Sequence, residues 1–105
     1  MREHDVVFRL YLAGQLPNSQ RALANLTAFC RRYLADRHRI EVVDVFECPE
    51  RALADNVLLT PTLVVVTLLP PRTVVGDLSD AGVLLQVLDR EIDRNEATTE
   101  FVPLP

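Results

Sequence analysis

Val6-Val7-Phe8-Arg9-Leu10-Tyr11-Leu12 is a β-branched, aromatic and leucine-rich run with a single charge, Arg9, in its middle. Such a run suits a strand buried on most of both faces. Ala13-Gly14-Gln15-Leu16-Pro17 then punctuates it, and Asn18 and Ser19 are both good helix N-caps. From there Leu23, Leu26, Cys30, Tyr33 and Leu34 recur at helical spacing, while Arg21, Arg31 and Arg32 stand elsewhere around the helix. His38 to Phe46 has strand chemistry again. A helix of about 17 residues between two strands is long enough for a parallel crossover, which should be right-handed.

Working outward, Cys48-Pro49 ends the second strand, and Pro49 is placed to open a short helix through Glu50, Arg51, Ala52, Leu53 and Ala54. Leu63-Val64-Val65-Val66-Thr67-Leu68 is a third strand, Pro70-Pro71 a break, and Arg72-Thr73-Val74-Val75 its antiparallel neighbour. A last helix starts at Ser79 or Asp80 and is expected to run past Ile92. The stretch from Asn95 to Pro105, with two prolines and few apolar anchors, reads as a frayed tail beyond one domain over residues 1–94. The order β-α-β-α-β-β-α is that of an α/β, thioredoxin-like domain.

Composition bounds the function. With 105 residues, 49% of them hydrophobic, the chain is one small domain that should bury roughly 65% of its unfolded surface. All 11 basic residues are arginine and 15 acids leave a net charge of −4, which argues against general affinity for nucleic acid. The charge is uneven: residues 1–52 hold 8 arginines against 7 acids, residues 53–105 hold 3 against 8, and Asn56 to Pro71 carries none. An acidic partner is therefore to be sought by the N-terminal half or by Arg72. Val57 to Leu69 is too short and too interrupted to span a bilayer, and the N-terminus has no targeting pattern, so a soluble cytoplasmic protein is expected. Cys30 and Cys48, without a second pair, imply neither a disulfide framework nor a zinc site.

A thioredoxin-like enzyme carries its working cysteine in the loop after the first strand, at a helix N-terminus that stabilises a thiolate. Here that loop runs from Ala13 to Ser19 and has no sulfur. Thr60-Pro61 matches the threonine and cis-proline pair that precedes the third strand in such folds, and without the thiol its reading is structural. Ser19 as a hydroxyl that activates glutathione is outweighed by simple capping from Asn18 or Ser19. His4 and His38 have no acid or nucleophile partner, Asp77 reads as a turn and capping acid, and Gly14, Gly76 and Gly82 form no phosphate-binding pattern. No catalytic residue, metal or cofactor is expected.

Several fragments taken together carry a resemblance. Leu10-Tyr11-Leu12-Ala13-Gly14, Pro17-Asn18-Ser19, Arg21-Ala22-Leu23, Val43-Asp44-Val45 with Pro49, Leu59-Thr60-Pro61-Thr62-Leu63, Leu69-Pro70-Pro71 and Gly76-Asp77-Leu78-Ser79 occur in order from about Val6 to Leu88. In this the chain resembles the KaiB family of circadian clock proteins. The resemblance implies a non-enzymatic regulator that binds the ATPase ring of KaiC, competes there with the sensory domain of the kinase SasA, and helps sequester KaiA. It also implies two folds: a monomeric thioredoxin-like form, and a ground-state homo-oligomer, dimer or tetramer, with the order β-α-β-β-α-α-β.

From the same resemblance, Arg9, Arg21 and Arg72 are the retained cations of a partner-binding surface, and Thr60 to Pro71, with Pro61 and Pro70, form a conformational joint. Gly76 and Asp77 belong to the matched turn. Val87 stands where the family tends to have glycine, and Glu41, Val65 and Thr73 where it tends to be basic. The departures at Glu41, Val65 and Thr73 weaken the electrostatics expected for a KaiC-like ring and count against capture of KaiA, while Val87, both a better helix former and a better strand former than glycine, favours neither fold. The alternative is a KaiB-like or SasA-sensor-like adaptor in bacterial kinase or stress signalling, without a rhythmic role.

Overall fold

The computed structural model describes residues 5–92. The expected tail over 95–105, the domain boundary at 94, and His4 lie outside them. The element order is β1 (Val6–Leu12), α1 (Pro17–Tyr33), β2 (His38–Asp44), α2 (Pro49–Ala54), β3 (Thr62–Val65), β4 (Arg72–Val75) and α3 (Ala81–Val87). One four-stranded sheet has the order β2-β1-β3-β4. β1 pairs with β2 in parallel and with β3 antiparallel, and β3 pairs antiparallel with β4. The βαβ unit and the antiparallel β3–β4 pair are those expected.

Alternation along β1 divides the sheet into two faces. Val6, Phe8, Leu10 and Leu12 pack with Leu26, Cys30, Leu63, Val65, Leu84 and Leu88 in the main core, on the side of α1 and α3. Tyr11 points the other way and forms a smaller cluster with Val43, Val64 and Ala52 of α2. β1, central in the sheet, is therefore buried on both faces, as its sequence predicts.

Four boundaries differ from expectation. α1 begins at Pro17, whose fixed φ and missing N–H suit the first helical position, and its N-cap is Leu16 without a side-chain cap. Neither Asn18 nor Ser19 caps it: buried Ser19 instead accepts at Oγ from Ala13 N–H, at 3.0 Å. β2 stops at Asp44 because that residue turns the chain, its carboxylate accepting from Phe46 N–H at 2.9 Å and its carbonyl from Glu47 and Cys48. β3 stops at Val65, after which Val66 N–H reaches Val7 O and the chain turns towards Pro70.

The last helix is the largest difference. It starts as expected, with Asp80 Oδ1 accepting from Gly82 N–H at 2.9 Å, but ends at Val87 rather than running past Ile92. Short helices persist by packing, and Leu84 and Leu88 supply it here. Beyond them Asp89 and Arg90 are exposed, and the acids Asp89 and Glu91 fall where the carbonyl end of the helix disfavours negative charge.

Candidate functional site

The end of the sheet where a thioredoxin keeps its nucleophile is formed by the loop from Ala13 to Leu16, the start of α1, and Thr60-Pro61. The Thr60–Pro61 peptide bond is cis, as expected, and so is Leu69–Pro70. A groove of about 400 Å³ there is lined by Leu16, Pro17, Asn18, Ser19, Arg21 and Thr60. No sulfur lines it. The Ser19 hydroxyl is turned inward onto the Ala13 amide, so it is not offered as a helix-terminal hydroxyl to a thiol ligand. Cys30, on the inner face of α1, is fully buried, and burial pushes its thiol up to about 12. Cys48 is half-buried at the start of α2, and both cysteines are free.

The three arginines singled out by the sequence do not form one patch. Arg9 lies opposite Glu41 on β2 and Val64 on β3, so it occupies the α2 face of the sheet. Arg72 lies opposite Val65, in the row of Phe8, and so belongs to the face of α1 and α3. With Pro70 and Val87 it lines a groove of about 530 Å³ between the β3–β4 connection and the end of α3. Arg72 is exposed and makes no ion pair among the described residues.

Arg21 is on the α1 side too. Its side chain is 58% exposed, contacts Asn18, and lies 3.6 Å from Asp77 Oδ2. Asp77 is the turn acid the sequence predicts. Its carboxylate accepts from Ser79 N–H at 3.0 Å and its carbonyl accepts from Asn25 Nδ2 at 2.8 Å, tying the β4–α3 turn to α1. Ser79 first, and Arg21 after it, hold the Asp77 carboxyl below its usual range. Gly76, at φ +119°, makes that turn possible, and Leu78 at φ +63° is held in it by burial in the main core.

Arg9 is engaged within the chain. It donates from Nε to Glu41 Oε1 at 2.9 Å and from Nη1 to Asp55 Oδ2 at 2.9 Å. Glu41 also accepts both guanidinium branches of Arg51, at 2.6 and 3.0 Å. The Tyr11 hydroxyl lies 2.5 Å from Asp55 Oδ2 and 3.0 Å from Arg51 O. Arg51 first and Arg9 second hold Glu41 down to about 2, and hydrogen bonding from Tyr11, then Arg9, lowers Asp55. Burial, then the hydrogen bond to Asp55, pushes Tyr11 up to about 12. Sequence reading missed this network. The available signals were a charge inside a buried strand, which demands a partner, and the four-residue spacing of Arg51 and Asp55.

Two departures noted in the sequence separate here. Glu41 is an acid in the midst of this network, and the charge it adds is what binds Arg9 and Arg51. Val65 is fully buried in the main core, so position 65 is no part of an exposed cationic surface in this arrangement. Strand alternation, which the sequence numbering leaves open, decides this. Thr73, exposed, lies opposite Val64 on the α2 face. Val87 is the half-buried last residue of α3.

A thioredoxin-like sheet whose helix-start loop holds no cysteine defines the class: a thioredoxin-like protein without the thiol of that fold's enzymes. The structure superposes on the N-terminal domain of Synechococcus elongatus SasA with a TM-score of 0.69 at 16% identity, covering 84% of each chain. It also superposes on chloroplastic thioredoxin z, at 0.67 and 14% identity, over 85% of this chain and 80% of that one. Those likenesses concern the fold. In sequence, the family model described as KaiB domain matches residues 9–90. Circadian clock protein KaiB3 of Synechocystis sp. is 37% identical over 84 residues, 80% of this chain and 82% of that protein. Circadian clock oscillator protein KaiB of Synechococcus elongatus is 41% identical over 83 residues, 79% and 81% of the two. The chain belongs to the KaiB family. No described helix is long and apolar enough to cross a membrane, and no described group of three or more His, Cys, Asp or Glu could hold a metal ion.

Proposed function

We propose that this chain is a non-enzymatic regulator in the cytoplasm that binds a KaiC-like ATPase ring and modulates its phosphorylation or ATPase cycle. One observation carries the reading: Arg21 and Arg72, both exposed, stand on the α1 and α3 side of the sheet, where they offer charge-assisted hydrogen bonds to an acidic surface. Arg9 serves that surface only indirectly, by holding α2. The joint from Thr60 to Pro71, with the groove beside Pro70 and Val87, adjoins Arg72 and would move with it. A SasA-like sensory domain, of the same fold, is the natural competitor for the ring.

Glu41 bears on the choice of partner. It places an acid, already paired, on the edge strand β2, which disfavours an acidic docking partner there and counts against capture of KaiA. The same change favours the second reading, an adaptor in bacterial kinase or stress signalling. Affinity capture from the host, with identification of bound proteins by mass spectrometry, separates the two. Recovery of a KaiC-like ATPase, with direct binding in its ATP or ADP state and displacement by a SasA-like domain, supports the first. No binding in any nucleotide state overturns it. Size-exclusion chromatography with amide NMR tests the ground-state homo-oligomer, and a single monomeric species across temperature and partner would remove it.

A further inference from the structure

We infer that α2 is an electrostatically clamped lid over the Tyr11, Val43 and Val64 cluster, and that ionic strength governs its opening. α2 has six residues, too few to persist as a helix by propensity. Its apolar hold on the sheet is small. Ala52 is its one buried side chain, Leu53 is 75% exposed, and Cys48 and Val57 flank the cluster only half-buried. What joins it to the sheet is polar and comes from three sheet residues, Glu41 of β2 and Arg9 and Tyr11 of β1.

Arg51 of α2 grips Glu41 of β2 with both guanidinium branches, and Asp55, one turn later, receives Arg9 and Tyr11 of β1. Arg9 also bridges back to Glu41, so cations and carboxylates alternate in one connected chain. The pairs are half-exposed, with side chains 25–41% accessible. Ion pairs of that exposure are screened by salt, since the Debye length falls to about 3 Å at 1 M. Apolar contacts of the main core are not screened. Salt should therefore loosen α2 while the sheet stays closed, exposing Tyr11, Val43 and Val64 together.

Hydrogen exchange of the intact chain tests this at low salt and at 1 M sodium chloride. The reporters are the amides of Asp55 and Val57, bonded to Arg51 O and Ala52 O, against those of Phe8, Leu10 and Val64 in the sheet. Salt should raise exchange at Asp55 and Val57 about fivefold, the scale that the two half-exposed ion pairs between α2 and the sheet, Arg51–Glu41 and Arg9–Asp55, supply together, with the sheet unchanged. Glu41→Gln should show faster exchange already at low salt and keep only the smaller salt response of the remaining Arg9–Asp55 pair, while Arg31→Gln on α1 behaves as the parent. Should Glu41→Gln not fold, Arg51→Gln leaves the Arg9–Glu41 pair on the sheet and is read in the same way. Exchange at Asp55 and Val57 that ignores salt, or that accelerates only together with the sheet, overturns the lid.

Discussion

Glu41 Oε2 accepts from Arg51 Nη1 at 2.6 Å, joining an edge strand to a helix that buries one side chain. The same carboxylate holds Arg9, so one acid determines the fate of two of the chain's arginines. Of the three arginines singled out by the sequence, Arg21 and Arg72 stand on the opposite side of the sheet, and this division shapes what should be measured.

Arg21→Glu and Arg72→Glu should each weaken binding to a KaiC-like ring by about 1–3 kcal/mol, the range for a charge-assisted contact. Arg31→Glu should leave it unchanged. Titration calorimetry with the nucleotide-loaded ring checks this, and unchanged affinity removes the residue concerned from the contact.

Stability should fall in acid. The folded Glu41 carboxyl, at about 2, lies below its ordinary 4.5, so its contribution is complete above about 4.5 and is lost as pH falls towards 2. Asp55 and Asp77 are lowered as well and act with the same sign. Tyr11 acts oppositely: raised from 10 to about 12, it contributes fully below 10 and its share is lost as pH rises towards 12. Urea midpoints across pH should show both declines, with a shallower acid limb in Glu41→Gln.

Gly76→Ala should destabilise by about 1–3 kcal/mol from backbone strain alone. The residue sits at φ +119° and an added Cβ would meet nothing within 4 Å, so no steric clash contributes. Equilibrium unfolding measures the loss.

Leu84→Ala should cost about 2–5 kcal/mol, the range for a large aliphatic side chain removed from a core. Leu84 is fully buried and is the one buried residue of α3, so that helix should also lose protection in hydrogen exchange.

The cysteines should differ sharply in reactivity. Cys48, half-buried, should react with a disulfide reagent in the folded protein, whereas Cys30, fully buried with its thiol raised to about 12, should react only on unfolding. A thiol titration with and without denaturant distinguishes the two phases.

Much of the fold is legible in the chain. β1, α2 and β4 fall where their residues predict, because each is bounded by proline, glycine or a change of period. β2, β3 and α3 come out shorter than expected, β2 for a local reason. Asp44 turns back on its own neighbours, Val66 and Thr67 bond to Val7, and Asp89 and Arg90, next after Leu88, are exposed. Ser19 is the clearest single case. A serine near a helix start reads as a cap, yet here the hydroxyl satisfies the buried amide of Ala13.

The sequence by itself determined the element order, the missing thiol in the loop before α1 and the family, all of which depend on residue identity and local spacing. Only the tertiary structure decided which arginines face outward. Arg9 meets Glu41 because parallel register places them side by side across 32 positions, and meets Asp55 because α2 folds down across 46. Ion pairing at such separations depends on register and helix placement, which net charge and periodicity leave open.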